Sequence, residues 1–90
     1  MAIIIDQEMT IYHAADIWKM IIESIRQVNS GAVKMDLSAV GEMDTAGAQL
    51  LLMTKKVCEE NSYKFSIDDA SDQVLSSLIL LGLEDLVSDR

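Results

Sequence analysis

The run Asp-Thr-Ala-Gly at positions 44–47 is the part of the sequence whose residue types and spacing best suit chemistry. It follows a strand-like stretch, residues 33–38, and leads into three consecutive leucines at positions 50–52. This order is typical of a strand, a tight turn and the first turn of a helix. Because the start of a helix presents unpaired N–H groups and the positive end of the helix dipole, an anion could be held here. The hydroxyl of Thr45 is also placed to carry a phosphate group.

The remaining reactive side chains do not favour an enzyme. The chain has one histidine, His13, and one cysteine, Cys58, which are far apart and belong to no catalytic motif. A nucleophilic site of the Ser/His/Asp or Cys/His type would need that single histidine at its centre. We therefore predict that the protein is not an enzyme, that His13 marks the start of a helix, and that Cys58 is an ordinary buried thiol.

The sequence also lacks the motifs that hold cofactors and metals. It contains no phosphate-binding loop, no dinucleotide glycine motif, and no Cys or His pairs at zinc spacing. Asp68, Asp69 and Asp72 could suggest a calcium site, but the loop glycine and the bidentate glutamate of such a site are missing. A solvated turn with a helix cap is the better interpretation, and we predict neither a cofactor nor a metal.

Composition argues against nucleic-acid and membrane partners. Fifteen acidic residues against seven basic ones give a net charge of -8, and the bases are scattered except for the pair at positions 55–56. Such a surface repels phosphate backbones and anionic lipids. Tyr12, Trp18 and Tyr63 are interpreted as packing residues. No segment has the length of a membrane span or the pattern of a signal peptide. We expect one domain spanning residues 1–90, located in the cytoplasm.

The hydrophobic pattern predicts four strands and three helices in the order ββαβαβα. The predicted strands are residues 3–5, 9–11, 33–37 and 63–68, and the predicted helices are residues 14–28, 45–61 and 72–81. Alternating strands and helices favour βαβ units, with helices packed on a mixed or parallel sheet. The last helix is expected to carry Val74, Leu78 and Leu81 on one face, to begin at a cap formed by Ser71 or Asp72, and to end at Gly82.

The second predicted helix carries a leucine on its polar side. Plotted at about 100° per residue, this helix separates a core side from an outer side. The core side is predicted to be Gly47, Leu50, Leu51, Thr54, Val57 and Cys58. The outer side is predicted to be Thr45, Gln49, Leu52 and Lys56, flanked by Met53. One exposed leucine is ordinary on a protein surface. A leucine in line with polar groups and the helix start instead indicates a shallow protein-binding face. For Thr45 an alternative role is to share the N-cap of the helix with Asp44.

Together these residues resemble a stand-alone bacterial STAS domain, the fold shared by sulphate transporters and anti-sigma-factor antagonists. Residues 9–16 resemble its second strand and first helix start, and residues 33–38 resemble its central strand. The run at 44–47 resembles its signature turn, and residues 74–83 resemble its last helix. The resemblance covers nearly the whole chain. It implies an α/β fold with a mixed four-stranded sheet and three main helices.

The signature turn differs from that of the anti-sigma-factor antagonists. In those proteins the turn reads Asp-Ser-Ser-Gly, and the resemblance implies phosphorylation of the serine before the glycine. That position is Ala46 here, and a methyl group cannot accept phosphate. The usual switch, in which added negative charge blocks the partner, is therefore excluded at Ala46. Thr45 matches the first serine, which is not the modified one.

The Asp-Thr-Ala-Gly form resembles two other branches of the family. One contains small STAS proteins of bacterial chemotaxis systems, to which the stretches at 10–18 and 44–52 are most similar. The other contains the STAS subunit that binds the ATPase of a phospholipid-trafficking ABC transporter. In that branch the resemblance implies that the matching threonine lies at the contact with the ATPase.

We therefore predict a non-enzymatic regulatory domain that docks a protein through the start and outer face of its second helix. The expected contact residues are Asp44, Thr45, Gln49, Leu52, Met53 and Lys56. The partner would be an anti-sigma-factor kinase, a chemotaxis protein or a transporter ATPase, and whether the domain forms a homodimer stays open. The alternatives are a phosphorylation switch at Thr45 and a nucleotide-binding module that uses the loop between Ser38 and Thr45.

Overall fold

Three parallel strands form the sheet that positions the turn at 44–47. The computed structural model of the protein describes residues 2–28 and 31–87. The elements in chain order are β1 (Ala2–Ile4), α1 (Ala14–Ile25), β2 (Ala32–Leu37), α2 (Thr45–Glu60), β3 (Lys64–Ala70), α3 (Asp72–Leu80) and a short 3-10 helix (Glu84–Leu86). The sheet order is β1-β2-β3, with β2 in the centre and parallel pairing on both of its sides. Both connections between these strands contain a helix, as parallel pairing requires.

The predicted fold class is confirmed, but the described residues contain three strands where four were expected, and the sheet is parallel where a mixed one was expected. The missing strand is the one predicted over residues 9–11. Met9 makes a single bridge to Met43: its N–H donates to Glu42 over 2.9 Å, and its carbonyl accepts from the N–H of Asp44 over 3.1 Å. The exposed residues 6–8 carry the chain away from β1. The backbone of residue 9 therefore pairs with the turn before α2 and not with a strand.

The core residues follow the two-residue alternation of the strands and the 3.6-residue period of the helices. Val33, Met35 and Leu37 on β2 are fully buried, because alternate residues of a strand face the same side. On α1, Ile17 and Ile21 are fully buried as well. His13 is the N-cap residue of α1, exposed and without a side-chain hydrogen bond, which confirms that it marks a helix start.

The predicted core side of α2 is confirmed. Its buried residues are Gly47, Ala48, Leu50, Leu51, Thr54 and Cys58, while Val57 is half-buried. Burial raises the pKa of the Cys58 thiol, as expected for an unreactive cysteine, and the negative charge of Glu59 adds to this effect.

The third helix ends one residue earlier than predicted, and this changes the environment of Leu81. Ser71 is the N-cap of α3, since its hydroxyl accepts from the N–H of Val74 over 3.2 Å. At the other end Gly82 has φ +72°, and the N–H of Leu83 donates to Leu78 over 2.8 Å. This is the backbone arrangement in which glycine reverses the chain after a helix. Leu81, predicted to share a helix face with Val74 and Leu78, is 43% exposed because it lies at this reversal and not on the buried face of α3.

Gly47 is the position where α2 approaches another segment most closely. A Cβ atom built on Gly47 would lie 2.0 Å from the carbonyl oxygen of Met9 and 2.8 Å from the side chain of Met43. Contacts this short cannot be relieved by rotating a side chain, because the first one involves backbone. Glycine is therefore required here by packing, independently of any binding role.

Replacing Gly47 with alanine should accordingly destabilise the protein. We expect the Gly47→Ala variant to lose about 3 kcal/mol of unfolding free energy, at the upper end of overpacking costs, because the segment around Met9 must move. Urea denaturation measures this loss. The matched control is Gly41→Ala, where no atom lies within 4 Å of the added Cβ. Equal denaturation midpoints for the two variants would contradict the packing argument.

Candidate docking surface

One carboxylate, that of Asp44, organises the start of α2. Its Oδ1 accepts from the N–H of Gly47 over 3.1 Å, which caps the helix, and its Oδ2 accepts from the N–H of Ile11 over 3.0 Å. Asp44 is therefore the N-cap residue, and Thr45 is the first residue of the helix. The alternative in which Thr45 shares the cap is wrong. Asp44 instead joins two segments that are 33 residues apart in sequence.

The same hydrogen bonds shift the acidity of Asp44. The bond from Ile11 is the largest influence and lowers the pKa of the carboxyl group below its usual value of 3.8. Desolvation opposes this effect, and the N–H groups of Gly47 and Ala46 add to the lowering. The carboxylate thus remains charged at neutral pH beside the positive end of the helix dipole. The anion-holding amides predicted from the sequence are already bonded to an anion of the protein itself.

The predicted outer side of α2 is exposed along its whole length. Thr45, Gln49, Leu52, Met53 and Lys56 all face solvent. Leu52 is 37% exposed and Met53 is 41% exposed, so part of each side chain is available for contact. With Asp44 at the head of this row, the structure brings all six predicted contact residues onto one helix and its N-cap.

Two further groups of apolar side chains flank the turn, and neither was predicted from the sequence. One group is Ile11, whose N–H is bonded to Asp44, together with Tyr12. Tyr12 is 89% exposed, so its interpretation as a packing residue is wrong. On the other side Leu80 and Leu81 are exposed at the end of α3. One signal for the second group is present in the sequence: three consecutive apolar residues at 79–81 cannot all face the core, because neighbours on a helix point about 100° apart.

The end of α3 and the start of α2 enclose a small depression. It has a volume of about 180 Å³ and is lined by Met43, Asp44, Thr45, Ser77, Leu80 and Leu81. The hydroxyl of Ser77 donates to the carbonyl of Met43 over 3.3 Å, which ties α3 to the turn. The carboxylate of Asp44 is the one ionisable group among these lining residues. We call the row on α2, with Asp44 and the exposed leucines at 80–81, the docking surface.

The described residues show no arrangement typical of a metal centre or of a membrane span. Within residues 2–28 and 31–87, no group of three His, Cys, Asp or Glu side chains could hold a metal ion. None of the helices in these ranges is long and apolar enough to cross a bilayer.

Comparison with known proteins identifies the family. The model of the STAS_2 family, described as "Mlab, STAS domain", matches residues 1–88. The chain belongs to the STAS family. Its fold is similar to that in the structure of the anti-sigma factor antagonist SpoIIAA in its unphosphorylated form, with a TM-score of 0.77 at 19% sequence identity. That match covers 99% of this chain and 77% of the SpoIIAA chain. A search of curated proteins found no match.

Within this STAS domain, the acidity of Asp44 makes a testable contribution to stability. A lowered folded-state pKa means that the charged carboxylate stabilises the folded form above about pH 4, and that this contribution is lost as the pH falls through the folded-state value. We expect Asp44→Ala to lower the unfolding free energy by about 1 kcal/mol at pH 7, a typical value for loss of an N-cap, and by less at pH 3. Urea denaturation at both pH values measures the difference.

The matched variant is Asp44→Asn, which keeps one carbonyl oxygen but presents N–H donors where the carboxylate had its second acceptor. It should retain the cap to Gly47 and lose the bond to Ile11. Its stability should therefore fall between those of the wild type and Asp44→Ala. A difference between wild type and Asp44→Ala that grows on acidification would show that the sign of the pKa shift is wrong.

Proposed function

We propose that this STAS domain is a non-enzymatic regulatory domain that binds a protein partner through the docking surface. The observation that supports the proposal is the set of large apolar side chains left exposed around the start of α2, above all Leu80, which is 86% exposed. Fully burying a leucine side chain is worth about 1.5–3 kcal/mol. A partner that covered Leu52 and the leucines at 80–81 would gain this energy at a site framed by polar groups, the usual composition of a transient interface.

The partner is proposed to be a cytoplasmic signalling or transport protein. The family description includes the word Mlab, and the similar solved structure is that of an anti-sigma factor antagonist. The words "anti-sigma factor antagonist" support a partner of the anti-sigma-factor class. The candidate partners are those expected from the resemblance: an anti-sigma-factor kinase, a chemotaxis protein and the ATPase of a phospholipid-trafficking transporter. Affinity capture from host lysate, with mass spectrometry of the captured protein, distinguishes the three.

The docking surface is tested by substituting one of its apolar residues. Leu52→Glu places a charge where the partner is proposed to bury a leucine, and we expect binding to weaken at least tenfold, measured by titration calorimetry with the captured partner. The matched control is Ile4→Glu, which alters an exposed apolar side chain on β1, away from the docking surface. Undiminished binding by Leu52→Glu would rule out the proposed surface.

A phosphorylation switch at Thr45 is the second candidate, and one observation favours it. Thr45 is exposed at the first position of α2, and its hydroxyl makes no hydrogen bond to any described residue. Since the Asp44 carboxylate already caps the helix through the N–H of Gly47, a phosphate group there would add about two negative charges beside an existing one. It would act by repelling the partner and not by filling an empty anion site.

Phosphopeptide mass spectrometry of the protein isolated from its host tests this switch. We expect a phosphate on Thr45, and a Thr45→Glu variant that binds the captured partner more weakly than Thr45→Val. Absence of phosphate under every growth condition, together with equal binding by the two variants, would leave Thr45 as a plain contact residue.

The nucleotide-binding alternative receives less support from the geometry. The depression beside the loop between Ser38 and Thr45 measures about 180 Å³, and no basic residue lines it. Ligand sites for small molecules are usually about 300 Å³ or larger, and phosphates need positive partners.

A further inference from the structure

Three of the seven basic residues of this acidic chain come together once the chain is folded. Three lysines that are separate in sequence, Lys34, Lys55 and Lys64, line a single cleft of about 420 Å³. Its lining residues are Ala32, Lys34, Lys55, Glu59, Tyr63, Lys64, Phe65 and Ser66. The volume lies in the range typical of small-ligand sites. The cleft shares no lining residue with the depression beside Asp44.

Strand register and the end of α2 bring the three lysines together. Ala32 pairs with Lys64 and Lys34 pairs with Ser66, so Lys34 and Lys64 lie on the same face of the sheet on adjacent strands. Lys55 belongs to the last two turns of α2. The chain then reverses at Ser62, which has φ +61°, and returns along β3. The cleft thus lies along the beginning of β3, with α2 contributing Lys55 and β2 contributing Lys34.

The lining of the cleft carries an excess of positive charge. Glu59 is its one acidic residue, against three lysines. Within the part of the chain that the structure describes, none of these lysines forms an ion pair within 4.0 Å. In a chain of net charge -8, such a local excess of positive charge favours an anionic ligand.

The walls of the cleft indicate the rest of the ligand. Tyr63 and Phe65, two of the four Phe, Trp and Tyr residues in the chain, line it and are half-buried. Both side chains pack partly against the core, and the part of each that lines the cleft is an apolar surface suited to a planar or hydrocarbon group. The hydroxyl of Ser66 already donates to Asp68 over 2.8 Å, so it is left as an acceptor. The donors that remain are the lysines and the tyrosine hydroxyl.

We propose that this cleft binds a small organic anion, a phosphate monoester attached to an apolar or aromatic group. Lysines act as point charges for phosphate oxygens and do not demand the flat geometry that arginine imposes. The aromatic walls hold the organic part. The cleft and the docking surface share no residue, and the proposal does not rest on the proposed function.

Nuclear magnetic resonance titration of the full chain tests the proposal with three probes at constant ionic strength: phenyl phosphate, inorganic phosphate and benzyl alcohol. Phenyl phosphate should shift the amide signals of residues 32–34, 55 and 63–66 and should bind more tightly than either of the other probes. Lys55→Gln and Lys64→Gln should each weaken its binding about fivefold, the effect of losing one exposed charge pair.

The matched control is Lys19→Gln, which removes an exposed lysine of α1 outside both the cleft and the docking surface. It should leave phenyl phosphate binding unchanged. Equal weakening by Lys19→Gln would show attraction to overall charge and would overturn the proposal. So would equal affinities for phenyl phosphate and inorganic phosphate, or signal shifts centred on residues 44–49.

Discussion

The hydrogen bonds of the Asp44 carboxylate join the start of α2 to the segment that precedes α1. One oxygen caps the helix through Gly47, and the other accepts from the N–H of Ile11, near the bridge at Met9. Met9 and Thr10 are buried, so burial and hydrogen bonds act together to hold this segment. The exposed Ile11 and Tyr12 are thereby placed beside the helix start.

The glycine of the signature run serves the same junction. The carbonyl of Met9 accepts from the N–H of Asp44 and lies where a side chain on residue 47 would have to be. Aspartate and glycine in this run are therefore explained by local packing and capping, whereas the residues between them are not. Thr45 is exposed and Ala46 is half-buried, and neither side chain is required by the junction. The two central positions of the run are free to differ among proteins that share the fold, which is where the serines of anti-sigma-factor antagonists are expected.

Features of the fold and of the candidate site could be predicted from the sequence where they depend on residues close together in the chain. The helices and their buried faces follow from apolar residues repeated over three or more turns, as at Leu50, Leu51 and Cys58, and these predictions held. Residues 9–11 show why short runs are less informative, since a β-prone stretch has the same composition whether it joins a sheet or makes one bridge. The prediction for Leu81 was wrong because α3 ends at Leu80. A difference of one residue at a helix end changes the direction in which the side chain points. The lysine cleft could not be predicted, because strand register and a helix end bring its residues together.

The second helix carries residues of both the docking surface and the lysine cleft. Its 16 residues span about 24 Å, with Thr45 at its start and Lys55 near its end. Both ends are fixed: the start by Asp44, and the end by the N–H of Tyr63, which donates to Cys58 over 2.8 Å. Leu51, Thr54 and Cys58 are fully buried between them, so the helix is held along its length. The row of the docking surface reaches Lys56, which follows Lys55 of the cleft in sequence. A ligand in the cleft and a partner that covered the whole row would therefore lie close together near the end of α2, within the range of about 8–10 Å over which charges interact at physiological salt.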